Sequence, residues 1–329
     1  LEVAKSISRG RAPHAIVSTV WTFYDAEQYE VFAALLDQSV ITHHRIVTGE
    51  DAGIRQSEET ITETVLLDLK IRLPNLRIAT HNHLKESDSG ADWEWWIEGN
   101  TRWFGMLVQA KKLHAINKPQ TVFGYGFGYP PSSAAGDLQV DRLIHTAENE
   151  SELKLAPVYV LYNGTDEPTS QVDCPLRVVD YYERAGGITA MSAYTVRELA
   201  RKNVTPRGLS RADLPLEQAS PHAILWSCLA TCGDACRSVT VAAAQRATGT
   251  HFNDVDPAKR AAATLDMLLT RFRRSNDNPN DIPPETPLHS LPPTYVPDTA
   301  NGWSDGEPPR SPFARHMGVL YRNRPDTDQ

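Results

Sequence analysis

An α/β fold is predicted for this 329-residue chain on three observations. Ser57 to Leu73 has the spacing of an amphipathic helix, Gly90 to Ala110 reads as a β-hairpin, and Asp137 to Tyr162 reads as a helix leading into a buried strand. Helices alternating with strands, the last joined by a crossover, bury both faces of a mixed sheet.

In chain order, residues 1–50 form a helical lead-in, with Val31, Phe32, Leu35 and Leu36 as an apolar stripe. A Gly- and Asp-containing linker follows from Thr48. Ser57 is placed to cap the next helix, with Glu58 and Glu59 in its first turn where the helix dipole favours negative charge. Ile61, Val65, Leu66, Leu69 and Leu73 are its buried stripe, and Pro74-Asn75 ends it. Leu76 to Ala79 is a short strand. Gly90 to Ile97 and Arg102 to Ala110 are the hairpin strands, with Gly99-Asn100 as the turn. Residues 117–136, rich in Gly, Pro, Ser and Tyr, read as a loop. Asp137 to Ala147 is a helix and Val158 to Tyr162 a buried strand.

The second half is more helical, over Thr195–Lys202, Ala223–Thr231, Ser238–Ala247 and Pro257–Arg273. Asp256 is the N-cap of the last, and Pro257 its first residue. From Ser275 the chain carries about half of its 23 prolines. That tail is expected to be largely disordered, with Met317 to Tyr321 as the segment able to dock. The expected organisation is a lead-in at 1–50, a core at 51–165, a mostly helical extension packed on it at 166–274, and the tail at 275–329.

Composition narrows the class. Hydrophobic residues make up 40% of the chain, enough for a real core, yet no run of about 18 apolar residues exists to span a membrane. Leu1 to Arg11 lacks the apolar segment of a secretory signal. The four cysteines, Cys174, Cys228, Cys232 and Cys236, do not form a disulfide framework across the chain. A cytoplasmic location is therefore expected. The net charge of -8 argues against a protein that coats nucleic acid nonspecifically, but a local basic groove is compatible with it.

The hairpin carries the chemistry. Strand side chains alternate faces, so Asp92, Glu94 and Trp96 share one face and Gln109 and Lys111 share one face of the next strand. An Asp beside Gln-x-Lys is a poor core and a good hydrolytic metal site. Phosphodiester hydrolysis needs a cation to neutralise developing charge and to activate water. Mg²⁺ or Mn²⁺ suits hard oxygen ligands, usually one or two carboxylates plus waters and phosphate. Asp92 supplies a carboxylate, Gln109 an amide oxygen, and Lys111 a cation to orient the attacking water. Gln109 brings no charge, so a further acid is expected from Glu58, Glu59 or Glu63 on the preceding helix.

This constellation resembles the PD-(D/E)xK nuclease superfamily, in particular its Mrr-like restriction branch, where Gln-x-Lys replaces acidic-x-Lys. The string Gly90-Ala-Asp-Trp-Glu-Trp-Trp followed by Val108-Gln-Ala-Lys111 also looks like an uncharacterised bacterial family of this type. The resemblance covers roughly a third of the chain. It implies a restriction-endonuclease-like mixed sheet flanked by helices. It implies a catalytic set of Asp92, Gln109, Lys111 and Glu59, with Asp92, Gln109 and Glu59 as metal ligands. The implied activity is Mg²⁺- or Mn²⁺-dependent cleavage of DNA, in defence against foreign DNA, with RNA left open as a substrate and a homodimer as a permitted assembly. The alternatives are a nucleic-acid-binding module without turnover and a structural partner in a defence complex.

Other motifs carry less. Trp93, Trp95, Trp96 and Trp103 fit core packing better than base stacking. His81-Asn82-His83 spells another nuclease class without its geometry, and His43-His44 reads as surface. Gly124, Gly126 and Gly128 precede Pro130-Pro131 rather than a helix, unlike a phosphate-cradling loop. Cys228, Cys232 and Cys236, spaced by four with His222 upstream, lack the close pairs of zinc sites, so no zinc is expected.

Overall fold

The computed structural model describes residues 26–80, 89–117, 122–127, 138–150, 152–165, 184–202, 213–231, 256–259, 261–266, 286–297, 311–312 and 314–322. Helix α1 (Ala26–Asp51) is followed by α2 (Glu58–Arg72), β1 (Leu76–Thr80), β2 (Trp93–Glu98), β3 (Trp103–Lys112), β4 (His114–Asn117) and β5 (Val122–Gly126). Then come α3 (Gln139–His145), β6 (Ala156–Tyr162), β7 (Ile188–Ser192), α4 (Ala193–Lys202), β8 (Asp213–Pro215), α5 (Leu216–Ala219), β9 (Ile224–Leu225), α6 (Cys228–Thr231) and β10 (His316–Leu320). A single π-helical turn, Thr146–Glu150, extends α3. The fold is mixed α/β, with a seven-stranded sheet in the order β1-β10-β2-β3-β6-β7-β9 and a three-stranded sheet, β4-β5-β8.

The helix at 57–73 forms as its sequence dictates. The Ser57 side chain accepts the Thr60 amide, and Ile61, Thr62, Val65, Leu66 and Leu69 are buried. Each buried apolar side chain contributes about 1.5–3 kcal/mol. Thr62 Oγ1 also meets the Tyr162 hydroxyl at 2.8 Å, pinning α2 across the sheet onto β6. Helix α1 runs further than its apolar stripe suggests, through Thr48 to Asp51, and the chain leaves it at Gly53 with φ of 72°.

Strand alternation divides the core into two layers. Trp93, Trp95, Ile97, Phe104, Met106 and Val108 face the side covered by α1, α2, Trp226, Ala258, Ala261, Ala262 and Leu265. Trp96, Leu107, Tyr159 and Leu161 face the other side, with α3, α4, the small sheet, Val296, Ala314, Met317, Val319 and Tyr321. The Trp93 and Trp95 rings stand 6.4 and 5.5 Å from that of Trp226. All four hairpin tryptophans are buried, so they pack rather than offer a stacking platform. The expected crossover is present, since β3 and β6 pair in parallel with α3 between them in the chain.

Several expectations are corrected. Met317 to Tyr321, the part of the tail expected to be able to dock, does so as a strand: β10 lies inside the large sheet, antiparallel to β1 and parallel to β2, so the tail is not simply disordered. Met317 and Val319 are fully buried on one face while Gly318 and Leu320 alternate to the other, and residues 286–297 also pack. Five residues between Pro-rich stretches are too short a pattern to outweigh composition. A core limited to 51–165 is likewise too narrow, because β7, β9 and β10 belong to the same sheet. The apolar run from Ala223 to Thr231 is not one helix but strand β9 followed by the single turn α6. Part of the expected loop at 117–136 is strand, since β5 pairs with β4 and β8 and contains Gly124 and Gly126.

The hairpin turn is displaced by one residue. Glu98 pairs with Trp103 and the Gly99 amide donates to the Arg102 carbonyl at 2.8 Å, so Asn100-Thr101 is central. Gly99 serves close approach here: a Cβ on it would lie 1.7 Å from Asp256 Oδ1. Asp256 takes the expected N-cap role, accepting the Ala258 and Lys259 amides through Oδ1, and also accepts the Thr101 amide through Oδ2. Residues 257–259 and 261–266 are helical. The expected helix at 238–247, the end of the one from Pro257, His81-Asn82-His83, Gly128, Cys174, Cys232 and Cys236 lie outside the described residues. Cys228 is buried and forms no disulfide among the described residues.

Candidate functional site

The β2–β3 register ends at Trp93↔Val108, and Asp92, one residue before it, meets the Gln109 side chain. The turn expected at Gly99-Asn100 would have aligned Asp92 with Leu107. Asp92 stands just before β2 and is held on both sides. Its amide donates to the Val108 carbonyl at 2.8 Å, and its Oδ2 accepts the Ala110 amide at 2.5 Å and Gln109 Nε2 at 2.6 Å. The carboxylate thus takes up a backbone donor beyond the last paired residue of β2, which fixes its position. Gly90, two residues before it, has φ of 73°, and a Cβ there would lie 2.9 Å from the Gln139 carbonyl oxygen. A glycine lets the chain enter the site in this left-handed conformation against α3.

Gln109 and Lys111 project from one face of β3, and both are almost fully buried. Gln109 Oε1 accepts Gln139 Nε2 at 2.7 Å, joining α3 to the site. Lys111 Nζ lies 3.6 Å from Glu58 Oε2, and Glu58 Oε1 accepts the Lys112 amide at 2.8 Å. A buried ammonium needs a nearby opposite charge, and Glu58 supplies it.

The helix acid at the site is therefore Glu58, a correction to the expected Glu59. Glu59 and Glu63 both pair with Arg315, which precedes β10. Glu58 lies three residues before Ile61 and seven before Val65, so it extends the sheet-facing stripe of α2 by one turn. Glu59 and Glu63 stand together on the next, exposed face. That phase was the available signal.

Gln139 and Tyr159 are additions that the hairpin motif did not indicate. Tyr159 pairs with Gln109 in the β3–β6 register and is fully buried. Its hydroxyl has no hydrogen-bond partner among the described residues. Burial first, then the negative charges of Asp92, Asp141 and Glu58, push that phenol well above its usual range. A second buried acid, Glu94, lies on the Trp96 side of β2 but is fully engaged by Trp96 Nε1, the Tyr295 hydroxyl and Ser311 Oγ. Burial raises its pKa despite those bonds.

A hard divalent cation needs several oxygen ligands; here Asp92 offers a carboxylate, while Gln109 turns its NH₂ toward Asp92 and its oxygen toward Gln139. The partnerless Tyr159 hydroxyl beside the Asp92 charge is a further polar group that bound water could satisfy. Among the described residues, no three His, Cys, Asp or Glu side chains gather as a metal-binding group. Any cation here would rely on Asp92 as its main charge, with Glu58 across Lys111.

A family model described as a family of unknown function (DUF6615) matches residues 32–324. The chain belongs to that family. The DUF6615 match runs from within α1 to just beyond β10, so the late strand is part of the family's common unit. No curated protein and no solved structure matches the chain. Among the described residues of this DUF6615 member, no helix is long and apolar enough to cross a membrane.

Proposed function

We propose that this protein is a divalent-metal-dependent nuclease that hydrolyses DNA phosphodiester bonds, of the PD-(D/E)xK type with a Gln-x-Lys element. The observation that supports the proposal is that two polar pairs, Asp92 with Gln109 and Lys111 with Glu58, lie at one end of the β2–β3 hairpin. Charged and amide groups this deep in a sheet are costly unless their polarity is used.

The residues divide the work. Asp92 and Gln109 would hold Mg²⁺ or Mn²⁺, which neutralises phosphate charge and makes bound water a nucleophile. Asp92 is preset for this by its bond to the Ala110 amide, which leaves the carboxylate no freedom to swing away. Lys111, buried beside Glu58 and two residues along β3 from Gln109, would stabilise the charge that builds on the phosphoryl oxygens and orient water for in-line attack. Glu58 sets an opposite charge beside the lysine and holds its strand through the Lys112 amide. DNA is the favoured substrate on the resemblance of the motif, and defence against foreign DNA is the favoured setting.

A second reading, nucleic-acid binding without turnover, is favoured by one observation: Gln109 turns its NH₂ rather than its oxygen toward Asp92. Supercoiled and linear DNA, incubated with Mg²⁺ or Mn²⁺ and either the native chain or Lys111→Ala, separate the readings. Nicking or linearisation by the native chain alone supports the nuclease. Salt-dependent binding without cleavage supports the second reading, and no nucleic-acid binding removes both.

A further inference from the structure

Arg184 is the one non-glycine residue with a positive φ among the described residues, at φ 70° and ψ 9°. A side chain in the left-handed region costs energy, and such strain persists only where neighbouring structure enforces it. Three contacts enforce it here. The Gly187 amide donates to the Arg184 carbonyl at 2.9 Å, closing the turn. Asn163, just past the end of β6, donates from Nδ2 to the Gly186 carbonyl at 2.6 Å, and its amide donates to the Gly187 carbonyl at 2.9 Å. Gly187 lies so close to α1 that a Cβ on it would stand 2.0 Å from the Ser39 carbonyl oxygen. The side chain that this turn presents is exposed, and no carboxylate pairs with it among the described residues. Its Nη1 lies 3.0 and 2.8 Å from the two ring nitrogens of His44. One atom comes that near both nitrogens only from above the ring, so the guanidinium rests on the face of the imidazole. The contact engages Nη1, and a guanidinium carries five N–H donors in a planar fork.

We propose that Arg184, seated on His44, binds a phosphate of the nucleic-acid backbone to one side of Lys111. The inference rests on the nuclease reading above. Register places the turn: Lys112 is opposite Tyr162 on β6, and Tyr162 is opposite Ile188 on β7. The turn before β7 therefore lies at the same end of the sheet as Lys111, two strands across, or roughly 10 Å sideways at ~4.8 Å per strand. DNA carries a phosphate every ~3.4 Å of axis along each strand, so a duplex cleaved at Lys111 has further phosphates within that span. The planar fork of an arginine matches two phosphate oxygens at once. Lys111 and Lys112 each face an acid, Glu58 and Glu50, whereas Arg184 faces a histidine. Burial first, then the Arg184 charge, hold the His44 pKa below its usual value, so the ring supports the guanidinium without cancelling its charge. Holding the arginine in place beforehand reduces the entropy lost when phosphate binds.

Fluorescence anisotropy of a labelled DNA duplex with the full chain, without divalent cation and across roughly 50–200 mM salt, tests this apart from cleavage. The native protein is compared with Arg184→Gly, Arg184→Lys, His44→Ala and Arg102→Ala, each checked by thermal melting. Glycine adopts a φ of 70° freely, so Arg184→Gly removes the guanidinium without straining the turn and should melt close to native. It should bind DNA about tenfold more weakly, and the slope of log affinity against log salt should shrink by about one, the mark of one lost phosphate contact. Arg184→Lys keeps the charge but not the fork and should bind about threefold more weakly. His44→Ala loses no charge, yet should also weaken binding about threefold by freeing the guanidinium. Arg102→Ala removes the same charge at the hairpin turn, the other end of the sheet, and should stay within about twofold of native. Native-like affinity and slope for Arg184→Gly overturn the inference and leave the nuclease reading standing. So does a loss no greater than that of Arg102→Ala, which would be an effect of net charge alone. Should Arg184→Gly melt early, native-like binding by both Arg184→Lys and His44→Ala overturns it instead. If the native chain binds no DNA, the nuclease reading fails and this inference with it.

Discussion

Glu58 Oε2 stands 3.6 Å from Lys111 Nζ, while the other oxygen of the same carboxylate accepts the Lys112 amide. One side chain on α2 therefore fixes both the charge and the strand position of the lysine. Glu58→Ala should lower cleavage at least tenfold, because it removes the nearby charge and loosens β3. Glu59→Ala, which loses only a partly exposed pair with Arg315, should stay within about twofold of native. DNA-nicking rates of the two variants decide the assignment, and the reverse order would return the helix acid to Glu59.

Asp92→Ala and Lys111→Ala should each reduce cleavage by at least about a hundredfold. Asp92→Ala should also abolish Mn²⁺ binding by calorimetry, while Lys111→Ala should retain it. Wild-type-like cleavage by either variant would remove the proposed catalytic set.

Gly90 combines a left-handed backbone with a Cβ position 2.9 Å from the Gln139 carbonyl oxygen. Gly90→Ala should destabilise the fold by about 1–3 kcal/mol and displace Asp92 from α3. Denaturant melts give the first effect and Mn²⁺ affinity the second. An alanine variant with unchanged melting would mean that this approach is looser than drawn.

Glu94 gives a pH dependence of stability. Burial raises its folded pKa above the usual carboxylate value, so the folded state holds the proton more tightly than the unfolded chain does. Stability from this group is full below the unfolded value and is lost as pH rises through the folded one. Thermal melts across mildly acidic to neutral pH should show native stability falling relative to Glu94→Gln. A constant difference between the two across that range would show that Glu94 does not titrate there.

Truncation after residue 275 should remove cooperative melting, because it deletes β10 and leaves β1 and β2 without the strand that joins them. Circular dichroism melts of the two chain lengths test this. Matching midpoints would mean that the sheet closes without its late strand.

How much of this the sequence discloses depends on the length of each pattern. The five-residue stripe of α2 and the alternation of β3 persist long enough to be read, and they place Asp92, Gln109 and Lys111 together. Helix phase could have distinguished Glu58 from Glu59, since Glu58 continues the buried stripe. Gln139 carries no such mark: it is one polar residue among Leu138, Val140 and Leu143, and only the approach at Gly90 shows what it touches. Ile224-Leu225 is too short for any periodicity to separate strand from helix. β10 is hidden for a different reason, because its partners are set by contacts far along the chain rather than by its neighbours in sequence.

The interior position of β10 also orders events during synthesis. A ribosome adding roughly 5–20 residues per second exposes β1 and β2 for roughly 10–50 s before His316 is made. Throughout that interval the edges of β1 and β2 that β10 joins have no strand between them. The nascent sheet thus stays open to aggregation and to chaperone capture until β10 is made. Translation that stops short of His316 yields a sheet with a gap in it rather than a smaller working protein.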